Sequence, residues 1–600
     1  QVGAGNTVYQ VVHQISRPAK IVGMPNRRFD VTLLINGLPI IQIELKKDTV
    51  DVNNALNQMH QYIEERQYSD IYSTVQILVA MSPYDAKYMA NTTPDRFNKD
   101  FAFNWQRRDN TIVRKWREFT DRFLSIPAAH KMSTTYMILD GTRNEECIKV
   151  MRPYQVYATD AVIEAIKQRP VNSMHYEKLG YIWHTTGSGK TITSFKTAWL
   201  ASRLPGVDKV VFLVDRKQLT RHTFETYRAY DPEFNEEGDA GRICDTKNTG
   251  ELTRRLKSNK NDIVITSIQK LSRLAKRKGY KAPDKNYIFI VDEAHRSTGA
   301  FNRKSNSYNF EDIQKRFPHS GWVGYTGTPM FDDNTGRRST RYIFGDCLHS
   351  YTIKDAIKDG NVLGFKVDFQ ETIPSGVLYE EELPAFYKKK YPDWDDKKIA
   401  KKIANLSDDE MDDELSKTPT VFDNNPKYVK AVVDDIFKHW KNRSNNGKYN
   451  ALLTTHVGGM KSSIGMAIMY YDEFQRVNME HIEANKSIAD EDKKSIVLKV
   501  GITFSEDDSD RDGMVENNKA LDRIISDYNK MFGTSFDRTT MDNYREDLVT
   551  RLDKSADDKN YLDLVIVVNQ LLTGFDAPQL NTLYVDRTLR GASLIQAYSR

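Results

Sequence analysis

The sequence predicts an α/β protein in which one small mixed unit precedes two units built on parallel sheets. From about residue 150, short apolar runs alternate with helical stretches, as in YIWHTT, KVVFLVD, DIVITS, IFIVDEAH and WVGYTGTP. A second series, ALLTTH, IVLKVGITFS, LDLVIVVNQ and NTLYVD, begins near residue 450. Such alternation predicts parallel sheets covered by helices on both faces. We expect domains at residues 1–135, 136–365 and 366–600.

The composition is that of a soluble globular protein with several cores, since 39% of its 600 residues are hydrophobic and 28% are charged. The net charge of +5 means that any nucleic-acid surface must be a local groove. Cys147, Cys244 and Cys347 lie far apart, which argues against a disulfide scaffold or a zinc site. Because neither a membrane span nor a secretory signal is visible, we expect a cytoplasmic protein without a membrane partner.

The N-terminal domain carries a candidate metal site on a predicted hairpin that turns at Asn36-Gly37. A period of two places Glu44 and Lys46 on one face of the second strand. A two-residue turn would put Asp30 on the opposite face from Glu44, so we predict a three-residue loop, which brings both carboxylates to one face. Two close carboxylates can bind Mg²⁺, and a lysine beside them can orient the water that attacks phosphorus.

A helix after this hairpin carries Gln58 and Tyr62, which are four residues apart and therefore share one helix face. Glu44 and Lys46 alone would more often be solvated charges on an exposed strand. Together with Asp30 and the Gln-Tyr pair, they favour a catalytic site.

A phosphate-binding loop is predicted between the strand YIW and the helix-like run TSFKTAWLASRL. Gly187 and Gly189 let backbone N–H groups turn toward phosphate oxygens, and the helix N-terminus adds its positive dipole end. Lys190 would hold the β- and γ-phosphates and Thr191 would bind magnesium, while His184 stands where the general pattern has its first glycine. The candidate nucleotide-binding residues of this loop are Thr186, Gly187, Ser188, Gly189, Lys190 and Thr191.

The strand IFIV delivers Asp292 and Glu293 at its C-terminal end. Asp292 can hold magnesium through water, and Glu293 can orient or deprotonate the attacking water. The pair is strong evidence only because a phosphate loop precedes it.

The two elements together resemble those of superfamily two helicases and translocases, which are built on two RecA-like domains. Arg152 and Gln155, in Arg-Pro-Tyr-Gln, resemble the adenine-reading element, and Thr326-Gly-Thr-Pro329 resembles the coupling motif. VDRKQL and TSIQK resemble the DNA-contact motifs of the first half, and TGFDAP and QAYSR resemble the last two motifs of the second half. The resemblance implies DNA contacts at Arg216, Thr266, Gln269 and Lys270, nucleotide contacts at Gly574, Asp576 and Gln596, and an arginine finger at Arg600.

Asp30, Glu44 and Lys46 resemble the catalytic residues of the PD-(D/E)xK nuclease family, and Gln58 with Tyr62 resembles the QxxxY element of its DNA-end-processing members. A nuclease of this kind followed by this motor resembles, over essentially the entire chain, the restriction (motor) subunit of type I restriction-modification enzymes. The resemblance implies an endonuclease that uses ATP and Mg²⁺, moves double-stranded DNA and joins methyltransferase (modification) and specificity subunits. We also expect the natural protein to extend beyond both ends of the chain.

Two other functions remain open from the sequence. A repair helicase-nuclease would share these sites but separate the strands. A DNA remodeller or scaffold would only grip DNA with an inactive N-terminal domain. The charged stretch at 376–425 has no predicted role.

Overall fold

The computed structural model describes residues 5–142, 146–170, 175–214, 217–234, 241–297, 301–302, 307–331, 339–369, 383–406, 425–455, 463–485, 497–503, 514–568 and 579–586. It divides into two compact units, with the boundary between Leu363 and Gly364. The first unit holds two large sheets, and the second holds one. The finer division of the first unit at residue 135 stays a prediction.

The N-terminal sheet has six strands that neighbour one another in chain order. They are β1 (Tyr9–Arg17), β2 (Arg27–Ile35), β3 (Leu38–Leu45), β4 (Ile77–Ser82), β5 (Asp85–Ala90) and β6 (Phe103–Asn104). β3 and β4 are parallel, and the other neighbours are antiparallel. Parallel neighbours need a long crossover, and helix α1 (Asn53–Glu64) supplies it. The crossover therefore holds α1 beside the end of β3.

Both faces of this sheet are covered. On one face, Leu56 and Met59 of α1 are buried in the same core as Leu78 of β4. On the other face, Trp105 and Phe123 pack around Tyr88, with the Phe123 and Tyr88 rings 4.5 Å apart. The helical part of this covering layer consists of α2 (Trp116–Phe119), the turn Thr120–Leu124 and α3 (Ala128–Thr134), and the hairpin β7 (Met137–Asp140) and β8 (Cys147–Val150) follows.

The second sheet of the first unit has seven strands, and all its neighbours pair in parallel. They are β9 (Glu177–His184), β10 (Lys209–Val214), β11 (Ile243–Asp245), β12 (Ile263–Ser267), β13 (Tyr287–Val291), β16 (Ser320–Thr326) and β17 (Cys347–Tyr351), with the short pair β14 (Phe301–Asn302) and β15 (Ser307–Tyr308) between them. Their order is β11-β12-β10-β13-β16-β9-β17. Every residue of β10, β12 and β13 is buried, as expected for a sheet covered on both faces. The predicted alternation of strand and helix is confirmed.

The covering helices are α4 (Pro153–Gln168), α5 (Lys190–Ala201), α6 (Lys217–Ala229), α7 (Thr249–Lys257), α8 (Ile268–Ala275), α9 (Ala294–Ser297) and α10 (Asn309–Arg316), followed by Thr340–Phe344 and Ile353–Lys358. One core contains Phe195 and Trp199 of α5, and the other contains Leu271 and Leu274 of α8. The carboxyl ends of parallel strands meet at one sheet edge, where ligands bind in open α/β sheets. The loops after β9 and β13 both lie at this edge.

The second unit contains the parallel strands β18 (Asn450–Thr455), β19 (Val500–Thr503), β20 (Leu564–Val567) and β21 (Leu580–Asp586), in the order β19-β20-β18-β21. These are the four strands that the sequence predicts there. Its helices are Leu383–Lys390, Asp396–Ala404, Pro426–Arg443, Ser463–Ala484, Met514–Phe532 and Met541–Leu552. The first two lie within the charged 376–425 stretch and share a small core of Leu383, Tyr387 and Ile399. Across the described part of the chain, no helix is both long and apolar enough to span a bilayer.

Candidate active sites

The β2–β3 hairpin brings Asp30 and Glu44 to the same face, but not through the predicted loop. Ile35 pairs with Leu38, so the turn has two residues, Asn36 and Gly37, both with positive φ. The predicted three-residue loop is therefore wrong. The register instead shifts between Leu33 and Leu34, so β3 carries one extra residue there. This bulge shifts the alternation of β3 by one residue, as a longer loop would have done, and so puts Glu44 on the same face as Asp30. The predicted placement of the two carboxylates is confirmed.

Glu44 is completely buried beside Asp30. Its Oε1 accepts hydrogen bonds from the Gln42 side chain at 3.1 Å and from the Asp30 backbone N–H at 3.4 Å. Its Oε2 is buried and has no hydrogen-bond partner among the described residues. Burial, together with the nearby Asp30 carboxylate, raises the pKa of Glu44 to about 8. With no cationic side chain paired with it among the described residues, Glu44 is therefore mostly protonated at neutral pH.

Lys46, Gln58 and Tyr62 form a chain of hydrogen bonds beside these carboxylates. The Lys46 ammonium donates to Gln58 Oε1 at 2.5 Å, and the Gln58 amide donates to the Tyr62 hydroxyl. The Tyr62 hydroxyl donates in turn to the carbonyl oxygen of Arg28, which lies on β2, at a distance of 3.4 Å. Burial raises the pKa of Tyr62 to about 12, so its hydroxyl stays protonated at neutral pH. α1 therefore holds the Lys46 side chain at the end of β3.

The Arg27 and Glu65 side chains tie β2 to the end of α1. Arg27 Nε donates to Glu65 Oε2 at 2.6 Å, and a guanidinium N–H donates to the other oxygen. Phe29 packs on Tyr62 with ring centroids 5.0 Å apart. The two elements that carry the site residues are thus joined on either side of it.

The phosphate loop joins β9 to α5 with the geometry that the sequence predicts. Gly187 and Gly189 have φ of +77° and +76°, in the left-handed region that favours glycine. α5 begins at Lys190, whose ammonium donates to the Thr185 carbonyl at 3.4 Å. Thr191 is exposed. The backbone is therefore shaped to present N–H groups, with a lysine and a hydroxyl at the helix start.

Asp292 and Glu293 follow β13 directly. The Asp292 carboxylate accepts from the Glu293 backbone N–H at 2.9 Å. Glu293 has φ of +46°, a conformation that non-glycine residues rarely adopt and that costs roughly 1–3 kcal/mol. A strained backbone at this position is a feature of functional sites.

Residues 326–329 contact both of these loops. His295 Nδ1 lies 3.0 Å from Thr326 Oγ1, so α9 is hydrogen-bonded to the end of β16. A Cβ on Gly327 would lie 3.3 Å from the Thr186 backbone nitrogen, which shows how closely this segment approaches the phosphate loop. His295 was not among the predicted site residues, although it follows Glu293 by two positions.

Gln155 lies against the phosphate loop. Its amide donates to the Ser188 carbonyl at 3.1 Å, and its Oε1 accepts from the Arg152 backbone N–H at 2.9 Å. The Arg152 guanidinium lies over the Phe103 ring at 4.0 Å. Contact of Gln155 with adenine stays a prediction.

The predicted DNA-contacting residues differ in how far they are exposed to solvent. Thr266 lies in β12, is fully buried and accepts a hydrogen bond from the Thr246 hydroxyl at 2.9 Å. Lys270 donates to the Thr246 carbonyl, and Gln269 is exposed. Their DNA contacts stay predictions. Arg216, Gly574, Asp576, Gln596 and Arg600 lie outside the described residues.

Three family models match separate parts of the chain. Residues 4–97 match the N terminus of the type I restriction enzyme R protein, 154–400 match the SWI2/SNF2 ATPase, and 447–600 match domain 3 of the type I restriction enzyme subunit R. A type I restriction enzyme endonuclease subunit of Staphylococcus aureus strain MSSA476 is 34% identical over 601 residues, covering 99% of this chain and 56% of that protein. The chain belongs to the family of type I restriction enzyme endonuclease subunits. The resemblance inferred from the motifs is therefore confirmed.

A second member of this endonuclease-subunit family, from Staphylococcus saprophyticus, is 35% identical over 605 residues, covering 99% of this chain and 56% of that protein. The chain thus spans about half the length of the curated relatives it matches. Among solved structures, the ATP-dependent Type ISP restriction-modification enzyme LlaBIII bound to DNA aligns with 79% of this chain and 29% of its own, at 14% identity and a TM-score of 0.41.

Proposed function

We propose that this chain is the ATP-driven double-stranded DNA translocase and Mg²⁺-dependent endonuclease portion of a type I restriction enzyme, which cleaves unmodified DNA away from its recognition site. One observation carries the proposal. A carboxylate pair, of which Glu44 is buried, lies beside an anchored lysine in the N-terminal sheet, and the same compact unit holds a phosphate loop and an Asp-Glu pair.

The N-terminal sheet acts as a PD-(D/E)xK nuclease in this proposal. Asp30 and Glu44 would hold Mg²⁺, which supplies charge neutralisation at the scissile phosphate and an activated water. The pair fits such an ion, because Glu44 Oε2 is buried without a partner among the described residues and its pKa is raised to about 8. Among the described residues, no group of three or more His, Cys, Asp and Glu side chains is arranged to hold a metal ion. The other ligands would come from water, DNA or the main chain, as is usual for magnesium.

Lys46 acts on the nucleophilic water in the same site. Its ammonium is fixed by Gln58 at 2.5 Å, and Gln58 is fixed by Tyr62. A positioned cation beside the carboxylates can orient the water and stabilise the negative charge that develops on the phosphate.

ATP binds at the C-terminal edge of the seven-stranded sheet in this proposal. Lys190 contacts the terminal phosphates, Thr191 and Asp292 hold the nucleotide's Mg²⁺, and Glu293 orients the attacking water. The family resemblance adds nucleotide contacts at Gly574, Asp576 and Gln596 and an arginine finger at Arg600, all of which lie outside the described residues.

In this proposal the protein contacts the sugar-phosphate backbone of DNA. The contacts from the first RecA-like domain are Arg216, Thr266, Gln269 and Lys270. The whole enzyme includes methyltransferase and specificity subunits, which choose the recognition sequence. This part of the proposal rests on family membership.

The decisive experiment compares wild-type enzyme with Lys190→Ala and Lys46→Ala, each in the full-length subunit assembled with its methyltransferase and specificity partners. ATP hydrolysis and cleavage of unmodified circular DNA are measured. We expect Lys190→Ala to abolish both activities and Lys46→Ala to abolish only cleavage. DNA cutting by Lys46→Ala would place the nuclease elsewhere. An enzyme that binds DNA but never cuts it is a scaffold, and release of a single strand from a forked duplex would favour a helicase-nuclease.

A further inference from the structure

A pair of stacked tyrosines lies directly behind the phosphate loop. Tyr154 is the second residue of α4 and Tyr351 ends β17, and their rings are parallel with centroids 3.7 Å apart. Both side chains are essentially inaccessible to solvent. The His184 ring packs edge-on against Tyr154 at 5.3 Å. The residue that replaces the first glycine of the loop pattern is therefore part of this aromatic cluster.

Tyr154 is hydrogen-bonded to the loop itself. Its hydroxyl donates to the Ser188 carbonyl at 2.7 Å, and Gln155 donates to the same oxygen at 3.1 Å. In a trans peptide the carbonyl and the next N–H point in opposite directions. Holding the Ser188 oxygen toward the protein therefore directs the Gly189 N–H away from it, toward the side where phosphate would bind. Burial raises the pKa of Tyr154 to about 12, so the hydroxyl remains a donor at neutral pH.

Tyr351 is held in turn by polar groups from two parts of the first unit. Its hydroxyl donates to Asp359 Oδ2 at 2.9 Å and accepts from the Asn361 amide. The Gln106 side chain, from the segment that follows β6, donates to the same Asp359 oxygen at 2.6 Å. The ring behind Tyr154 is thus fixed before any nucleotide arrives.

We propose that Tyr154, backed by Tyr351, is a positioning residue of the phosphate loop. The inference rests on the proposed ATPase function and adds a residue that the sequence motifs leave unassigned. The hydroxyl orders the Ser188–Gly189 peptide in the free protein, so ATP binds a preformed loop and does not have to order it. Tyr154 touches no reacting atom in this role, so its removal weakens binding and leaves the chemical step intact.

The test is Tyr154→Phe in the full-length subunit assembled with its partners, with ATP itself as the probe in titration calorimetry and steady-state hydrolysis. The variant keeps the stacked ring and loses one buried hydrogen bond. We expect the Kd and KM for ATP to rise about fivefold to tenfold, while kcat stays within about twofold. Tyr351→Leu, which removes the stack, should reproduce this effect, and Tyr351→Phe should recover most of the affinity.

Tyr287→Phe is the matched control. Tyr287, in the seven-stranded sheet, is as buried as Tyr154 and also donates to a main-chain carbonyl, that of Leu256, at 3.2 Å. It begins β13, at the end of the strand opposite Asp292. The control should lower the unfolding temperature as much as Tyr154→Phe does but leave the Kd for ATP unchanged.

Equal Kd values for Tyr154→Phe and Tyr287→Phe would overturn the inference, as would a loss confined to kcat. Lys190→Ala separates this failure from failure of the proposed function. If Lys190→Ala hydrolyses ATP like wild type, the ATPase assignment itself is wrong. If Lys190→Ala is inactive while Tyr154→Phe matches the control, only the role of Tyr154 is wrong.

Discussion

At the scale of single residues, the candidate nuclease site depends on how the Lys46 side chain is held. Gln58 is the only acceptor described for the Lys46 ammonium, at 2.5 Å. We expect Gln58→Ala to lower the rate of DNA cleavage about 10-fold to 100-fold, since removing a group that orients an active-site residue typically costs this much. ATP hydrolysis should not change. Linearisation of unmodified circular DNA by the assembled enzyme measures the effect. Asn57→Ala, an exposed neighbour on the same helix, is the control, and equal cleavage by the two variants would contradict the prediction.

The Arg27–Glu65 pair gives a pH-dependent prediction at the same scale. Hydrogen bonds from Arg27 lower the pKa of the buried Glu65 below its ordinary value of 4.5. A lowered folded-state pKa means that the stabilisation is present above about pH 4.5 and is lost as the pH falls through the folded-state value. Arg27→Gln should therefore cost about 2–4 kcal/mol at pH 7, because it leaves a buried carboxylate unpaired.

The difference in unfolding free energy between Arg27→Gln and wild type should shrink as the pH falls, because Glu65 no longer needs a cation once it is protonated. Calorimetric unfolding of the full-length subunit at pH 7 and at pH 4 measures it. Lys20→Gln is the control, because Lys20 pairs with Asp70, which is exposed. Equal destabilisation by Arg27→Gln at both pH values would show that the pair is not the origin of the effect.

At the scale of elements, β9 depends on Gly180. The pairing with β16 slips by one residue there, and Gly180 has φ of +122°. An added Cβ would lie 2.7 Å from the Asp346 carbonyl oxygen. Gly180→Ala combines backbone strain with a clash against main chain, so we expect a loss of about 2–4 kcal/mol in unfolding free energy. Because β9 leads into the phosphate loop, ATP affinity should fall as well.

Gly360→Ala separates strain from clash. Gly360 also has a positive φ, of +71°, but no described atom lies within 4 Å of the added Cβ. It should cost only about 1 kcal/mol, the penalty for the left-handed conformation. Denaturant unfolding of the two variants makes the comparison, and equal losses would mean that the contact with Asp346 does not matter.

The sequence predicts elements well where their pattern is local. β10, β12 and β13 are continuous apolar runs, and Gln58 and Tyr62 share a helix face by spacing alone. β1 was not predicted, because it is an edge strand whose residues are mostly exposed, and β17 was not predicted, because polar residues interrupt it. In each case, pairing with the neighbouring strand, and not the residue pattern of the strand itself, makes the segment a β-strand.

The β2–β3 hairpin and the Tyr154–Tyr351 pair depend on contacts between elements, which a local sequence pattern does not show. Residues 38–41 read Leu-Pro-Ile-Ile, so nothing in their alternation reveals that β3 carries a bulge there. Tyr154 and Tyr351 meet because α4 and β17 pack together, and their distance along the chain gives no sign of it. The catalytic candidates were therefore predictable from spacing, whereas the parts that hold them in place required the fold.

At the scale of the whole molecule, charge limits what this chain can recognise alone. Its 87 basic and 82 acidic residues nearly cancel, so DNA must bind in a local groove. A motor that advances along any sequence has to contact phosphates, which carry no sequence information. We therefore predict that the subunit without its partners binds unmodified and methylated duplexes of the same length equally, with an affinity that falls linearly on a log–log plot against salt.

Titration of the full-length subunit with both duplexes at several salt concentrations tests this prediction, first alone and then with the methyltransferase and specificity subunits added. Discrimination should appear only in the complete assembly, since base-edge contacts specify sequence and backbone contacts do not. Lys270→Ala, on α8, serves as the comparison variant for the salt slope, because loss of one proposed phosphate contact should lower that slope by about 1. A preference of the isolated subunit for unmodified DNA would mean that the motor itself reads bases, and the division of labour proposed for this family member would have to be abandoned.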